Sequence, residues 1–127
     1  MKKVIIIPSL EDIIAINKEL EKSFSVNEGA LDFMISKIKS RRPSLDRKKD
    51  IAKGAATIWH DITVNHPFID GNKRTATEAM LMFIDLNDYE LKSPPNGLIY
   101  ISLKLANNDI SFNELVNWIY SRLKEIK

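Results

Sequence analysis

The sequence predicts an all-α protein: a compact single-domain bundle of about six helices, led in by a short extended segment. Three observations point there. Apolar residues recur at spacings of three and four in separate segments along the chain. Ser9 with Asp12 and Ser111 with Glu114 are capping-box signatures, each just ahead of an apolar-periodic run. Pro, Gly and Asn-Asp clusters punctuate the intervals between runs. At 127 residues, one domain spanning 1–127 is expected.

Val4 to Ile7 is a short β-branched run, read as a strand or an extended lead-in. Ser9 opens helix one, whose apolar positions Leu10, Ile13, Ile14 and Leu20 carry it to about Lys22. Ser23 to Gly29 reads as a loop, with Asn27 placed to cap a second helix bearing Leu31, Met34, Ile35 and Ile38. Pro43 breaks that helix and leaves a basic loop from Ser40 to about Asp46. The third helix carries Ile51, Ala55, Ile58, Trp59 and Ile62, and Gly54-Ala55-Ala56 lets another helix come close. Its end falls near Val64 or Asn65, because Pro67 disfavours helical geometry at His66 and should hold it extended. Ala76, Ala79, Met80, Phe83 and Ile84 then trace what should be the central helix, ended by Asn87-Asp88. Ser93 to Gly97 interrupts, Leu98 to Ala106 forms another helix, and a last helix runs from Ser111 through Leu115, Trp118, Ile119 and Leu123.

Composition excludes several classes. The longest apolar runs fall far short of the roughly 20 residues of a membrane span. Met1 to Ile7 resembles the start of a signal peptide, but its apolar part is short and Pro8, Glu11 and Asp12 end it, so no leader is expected. The chain has no cysteine, hence no disulfides and no thiolate metal site. A cytoplasmic protein is the default. A net charge of +2 gives no bulk attraction for nucleic acid, and none is expected to bind directly. The charge is uneven, however. Lys37, Lys39, Arg41, Arg42, Arg47, Lys48 and Lys49 face a single acid, Asp46, within the same stretch. That stretch is either a solvated helix end and loop or a surface for an acidic partner.

The chemistry is concentrated in His66-Pro67-Phe68-Ile69-Asp70-Gly71-Asn72-Lys73-Arg74. Histidine titrates near neutrality and suits a general base. Phe68 is expected to point inward and pin the loop. Asp70 offers a hard oxygen of the kind Mg²⁺ takes beside phosphate oxygens. Gly71 allows positive φ or close approach of a ligand. Asn72 starts a helix, whose free N–H groups make an anion site. Lys73 and Arg74 add a point charge and a planar fork, both suited to phosphate. Each residue alone has a bland explanation in turn or surface chemistry. Together they are the parts of a phosphoryl- or nucleotidyl-transfer site. His60, Asp61 and His66 lack any zinc-binding spacing, and His60 is read as structural or surface. Neither a Walker glycine loop nor a G-x-S-x-G elbow is present.

These residues resemble the signature of the Fic/Doc family, H-x-F-x-[D/E]-G-N-[G/K]-R. His66, Phe68, Asp70, Gly71, Asn72, Lys73 and Arg74 match it in order. The flanking helices agree, so the likeness extends over essentially the whole chain. The resemblance implies an Mg²⁺- and ATP-dependent transferase acting on a protein hydroxyl. His66 would be its base and Asp70 its metal ligand, with Gly71, Asn72, Lys73 and Arg74 on the phosphates. The loop with Arg41, Arg42 and Arg47 would correspond to the family's target-docking flap.

AMP-transferring members usually have glycine where Lys73 stands and a second arginine where Thr77 stands. Both departures resemble the Doc (death on curing) toxin branch. The branch implies a kinase-like transfer of the terminal phosphate, a translation elongation factor as target and a small antitoxin partner. The alternatives are an AMP transferase that tolerates Lys73 and a non-catalytic nucleotide- or protein-binding module. The family's inhibitory pattern, [S/T]-x-x-x-E-[G/N], is met only in part by Ser121 to Glu125, with Ile126 in its last place. Restraint by a separate partner is therefore expected over self-inhibition.

Overall fold

A computed structural model describes residues 4–21 and 25–126. The elements run α1 (Leu10–Leu20), α2 (Glu28–Ser40), α3 (Arg47–Asn65), α4 (Asn72–Leu86), β1 (Tyr89–Leu91), α5 (Pro95–Ala106), α6 (Phe112–Tyr120) and β2 (Leu123–Glu125). The expected six helices are all present, within an essentially all-helical domain. Local chemistry starts most of them. Ser9 and Ser111 form complete capping boxes with Asp12 and Glu114, and Asn27 and Asp46 cap α2 and α3 by accepting backbone N–H bonds. α5 begins at Pro95, earlier than Leu98, because proline fits the first helical turn, where its missing N–H has no intrahelical role.

The centre of the bundle is shared. α4 was the expected centre, but α3 packs against α2, α4, α5 and α6, while α1 packs against α4 and α2. Ile51, Ala52, Ala55, Ala56, Ile58, Trp59 and Ile62 of α3 are buried against Ala76, Ala79, Met80 and Phe83 of α4 and their neighbours. The small residues of α3 permit the approach. A Cβ at Gly54 would lie 2.5 Å from Phe83 Cζ, so the phenyl ring occupies the space a side chain would need. Trp59 meets Trp118 of α6 with ring centroids 5.9 Å apart and tilted by 58°, and its indole N–H donates to Ser102 of α5.

α3 and α4 are antiparallel. The loop of residues 66–71 joins the end of α3 to the start of α4, and Arg47 at the start of α3 donates to the carbonyl of Asn87 at the end of α4. One end of the pair therefore carries the histidine motif. The other carries the 41–46 connection and the small sheet.

Of the two readings of Val4 to Ile7 the extended lead-in holds, and three other expectations change. Val4 to Ile7 is extended but belongs to no strand. Ile6 is held instead by Asn87, whose side-chain amide accepts from the Ile6 N–H (2.7 Å) and donates to its carbonyl (2.8 Å). The last helix stops at Tyr120, and Leu123 lies in β2, which pairs antiparallel with β1 in the register Tyr89↔Glu125, Leu91↔Leu123. The first helix ends at Leu20; Lys22 lies outside the described residues. His66 is left-handed (φ 49°, ψ 59°), not extended, because it serves as the C-terminal cap of α3. Among the described residues no helix is long and apolar enough to cross a membrane.

Candidate functional site

The motif forms the turn between α3 and α4. Pro67 and Phe68 are buried, while His66, Ile69 and Asp70 are exposed. Phe68 thus pins the loop from inside, as expected. The left-handed cap at His66 turns the chain out of the α3 axis, so the imidazole stands at the rim and not on a packed helix face. The strand-like partner of this loop is the short segment before α2. Val26 bridges Phe68, and the Asn27 N–H donates to the Pro67 carbonyl at 2.7 Å.

Three side chains shape the turn from beneath. Asn72 is buried and uses both ends of its amide on Phe68, accepting from its N–H (3.0 Å) and donating to its carbonyl (2.9 Å). Its side chain is therefore a clamp on the loop, and only its backbone N–H remains for a phosphate. Asn17 of α1 is buried and donates to the Asp70 carbonyl (2.9 Å) and the Thr75 hydroxyl (3.0 Å). Gly71 takes φ +75°; a Cβ there would meet Glu21 Cγ at 2.8 Å and Glu21 Oε2 at 2.9 Å. The Glu21 carboxylate thus borders the turn. Sequence reasoning missed Asn17, Glu21 and Thr75. Asn17 alone carried a signal, as a polar residue one helical turn after Ile13 in an otherwise apolar stripe.

The start of α4 is open. Side chains cap α1, α2, α3 and α6, but none caps α4 or α5, and the first turn of α4 holds no acid. The first N–H groups of α4 have no intrahelical acceptor, and the helix dipole makes that end attractive to anions. Lys73 and Arg74 are exposed in the same turn. Both border a cavity of about 380 Å³ between α4 and α5, floored by Pro95, Leu98, Ile99 and Leu103. Thr77, also on its edge, bonds to the Lys73 carbonyl (3.1 Å) and the Ser102 hydroxyl (3.2 Å), tying α4 to α5. The arrangement offers cations and open N–H donors beside an apolar shelf.

His66, Asp70, Gly71, Asn72, Lys73 and Arg74 are thus gathered at one end. Arg41, Arg42 and Arg47 are not. The 19 residues of α3 span about 28 Å, and that loop lies at its opposite end. Arg41 donates to Thr57 (3.1 Å) and Arg47 to Asn87 (3.1 Å); Arg42 is exposed. The segment beside the motif is Val26-Asn27. Ser121 to Glu125 also lies at the far end, as the helix cap and β2.

His60 accompanies a buried acid on α3. His60 Nδ1 is 2.8 Å from Asp61 Oδ1, and Lys37 pairs with the other oxygen. Burial pushes the Asp61 pKa up, but the hydrogen bonds from His60 and Lys37 outweigh it and leave the carboxyl below its usual range. Among the described residues no group of three or more His, Cys, Asp and Glu converges as a metal site. Asp70 offers a single exposed carboxylate, which fits Mg²⁺, a cation that keeps waters and phosphate oxygens around one or two protein ligands.

The curated relatives include Testis-specific Y-encoded protein 9 and Testis-specific Y-encoded protein 3 of Homo sapiens. Each is 26% identical over 113 residues, which is 88% of this chain and 36% and 37% of theirs. The chain thus spans about a third of the length of these relatives. A family model, Fic/DOC family, matches residues 7–84, from the lead-in into α4 and across the whole motif turn. This chain belongs to the Fic/DOC family.

Proposed function

We propose that this chain is a Doc-type transferase that moves the terminal phosphate of ATP to a hydroxyl of a target protein. Fic/DOC proteins are generally transferases that use a nucleotide substrate. The observation that carries the finer reading is the uncapped start of α4, with Lys73 and Arg74 exposed in its first turn and His66 and Asp70 on the adjoining rim. In this reading the phosphates lie over the N–H groups of Asn72 to Arg74, and the two cations balance their charge. The apolar shelf of Leu98, Ile99 and Leu103 suits a flat base beside those cations.

Asp70 would hold Mg²⁺, which neutralises charge on the phosphate oxygens when bound. His66 accepts the proton of the target hydroxyl as its oxygen bonds to the γ-phosphorus. The bond from that phosphorus to the β–γ bridging oxygen breaks, and ADP leaves. Lys73 and Thr77 support the Doc branch: lysine replaces a small residue at the turn, and Thr77 is engaged with Ser102 where AMP transferases carry a second arginine. The target is proposed to be a translation elongation factor and the restraint a small antitoxin, both in the cytoplasm. The position of Ser121 to Glu125, at the far end from His66, fits restraint by a partner.

The test uses purified protein, Mg²⁺ and a cell lysate, with ATP labelled at the γ- or the α-phosphate. Label carried to protein from γ-ATP alone is expected, and its loss in His66→Ala ties it to this site. Label from α-ATP alone would make the chain an AMP transferase. Label from neither, with His66→Ala matching wild type in a growth assay, would make it a binding module.

A further inference from the structure

A second cavity lies away from the motif, at the opposite end of α3. It holds about 530 Å³ between the N-terminal lead-in, the end of α2 and the connection to α3. That volume is in the range of small-molecule sites. Ile5, Ile7 and Ile38 wall it, while Arg41, Arg42 and Arg47 border it.

Its charge is one-sided. The one carboxylate on its lining, Asp50, is already engaged: Ser44 donates its N–H to Oδ2 (2.9 Å) and its hydroxyl to Oδ1 (2.8 Å). None of the three guanidiniums forms an ion pair among the described residues. Arg41 Nη1 and Arg47 Nε are buried with no hydrogen-bond partner, a costly state for a charged donor. Leu45 stands on the rim with 97% of its surface exposed, and Val4 with 82%. An apolar chamber with exposed aliphatic side chains at its mouth and cations without a carboxylate partner among the described residues on its wall suits an anionic apolar ligand.

We propose that this cavity binds a small amphipathic acid, a free carboxylate carried on an apolar chain. The chain would lie against Ile5, Ile7 and Ile38 with Leu45 folded over it. The carboxylate would meet the guanidinium of Arg42, which is exposed and lines the cavity. The site is separate from the transfer chemistry and stands or falls independently of it.

The test is isothermal titration calorimetry of the full chain with dodecanoate, dodecyltrimethylammonium and acetate. Dodecanoate is expected to bind at one saturable site, the cationic analogue at least tenfold more weakly, and acetate not measurably. Arg42→Glu and Leu45→Asp change exposed residues and should leave the fold intact, which circular dichroism checks. Each should weaken dodecanoate at least fivefold. Equal binding of the cationic and anionic chains would overturn the proposal. So would multiple non-saturating sites, or wild-type dodecanoate affinity in both folded variants.

Discussion

Gly71→Ala is the sharpest test of the motif's geometry. The residue sits at φ +75°, where an L side chain costs about 1–2 kcal/mol. A methyl there also meets Glu21 Cγ at 2.8 Å and Asn17 Nδ2 at 3.2 Å. The two neighbours respond differently. Glu21 is half-exposed and can swing away. Asn17 is buried and held by two hydrogen bonds, so it yields only a few tenths of an ångström. The sum is about 2 kcal/mol of stability, or roughly 6–10 °C in the melting midpoint of a domain this size. Thermal unfolding followed by far-ultraviolet circular dichroism reads it directly. The double variant Gly71→Ala/Glu21→Ala separates the terms, and less than half of the loss should return. An unchanged midpoint in the single variant would refute the left-handed turn. Complete recovery in the double variant would show that the clash with Glu21, and not backbone conformation, sets the cost.

Asn72→Ala leaves the Phe68 N–H and carbonyl without their buried partner and should cost about 2–3 kcal/mol, seen in urea unfolding together with faster amide exchange at Phe68. His66→Ala and Asp70→Ala change exposed side chains; each should hold stability within about 0.5 kcal/mol while lowering label transfer at least 100-fold. A large drop in the His66→Ala midpoint would make that residue structural. Asp61→Asn tests the buried acid through pH. A carboxyl whose folded pKa is depressed contributes stability above its unfolded value, about 3.8, and loses it as pH falls through the lower folded value. The variant should therefore be weaker than wild type near neutrality, by about 1 kcal/mol given the half-exposed Lys37, and the gap should close below pH 3.8. A gap independent of pH would remove the ion pair as its cause.

What could be read from the residues was what they decide locally. Ser9 with Asp12 and Ser111 with Glu114 start helices through bonds three residues apart, and both appear as read. The motif turn was legible for the same reason, down to an inward Phe68. β1 and β2 were not, because each is three residues long and its stability comes from a partner more than thirty positions away. The extended geometry expected at His66 followed the proline rule, but capping a 19-residue helix won. The place of Arg41, Arg42 and Arg47 needed arithmetic more than coordinates: a helix ending at Asn65 and about 28 Å long must start far from His66. Asn72 was placed on the phosphates by the family resemblance, whereas its amide faces a backbone four residues earlier.

The two ends of α4 are fastened alike. Asn72 holds the N–H and carbonyl of Phe68, and Asn87 holds those of Ile6, each amide standing in for a strand's peptide group. Such a mimic depends on having both a donor and an acceptor. Spontaneous deamidation would exchange the donor for an oxygen facing a carbonyl, at sites where water cannot compensate. Loss of either donor would accordingly loosen the lead-in or the motif turn while the helices between them stay packed.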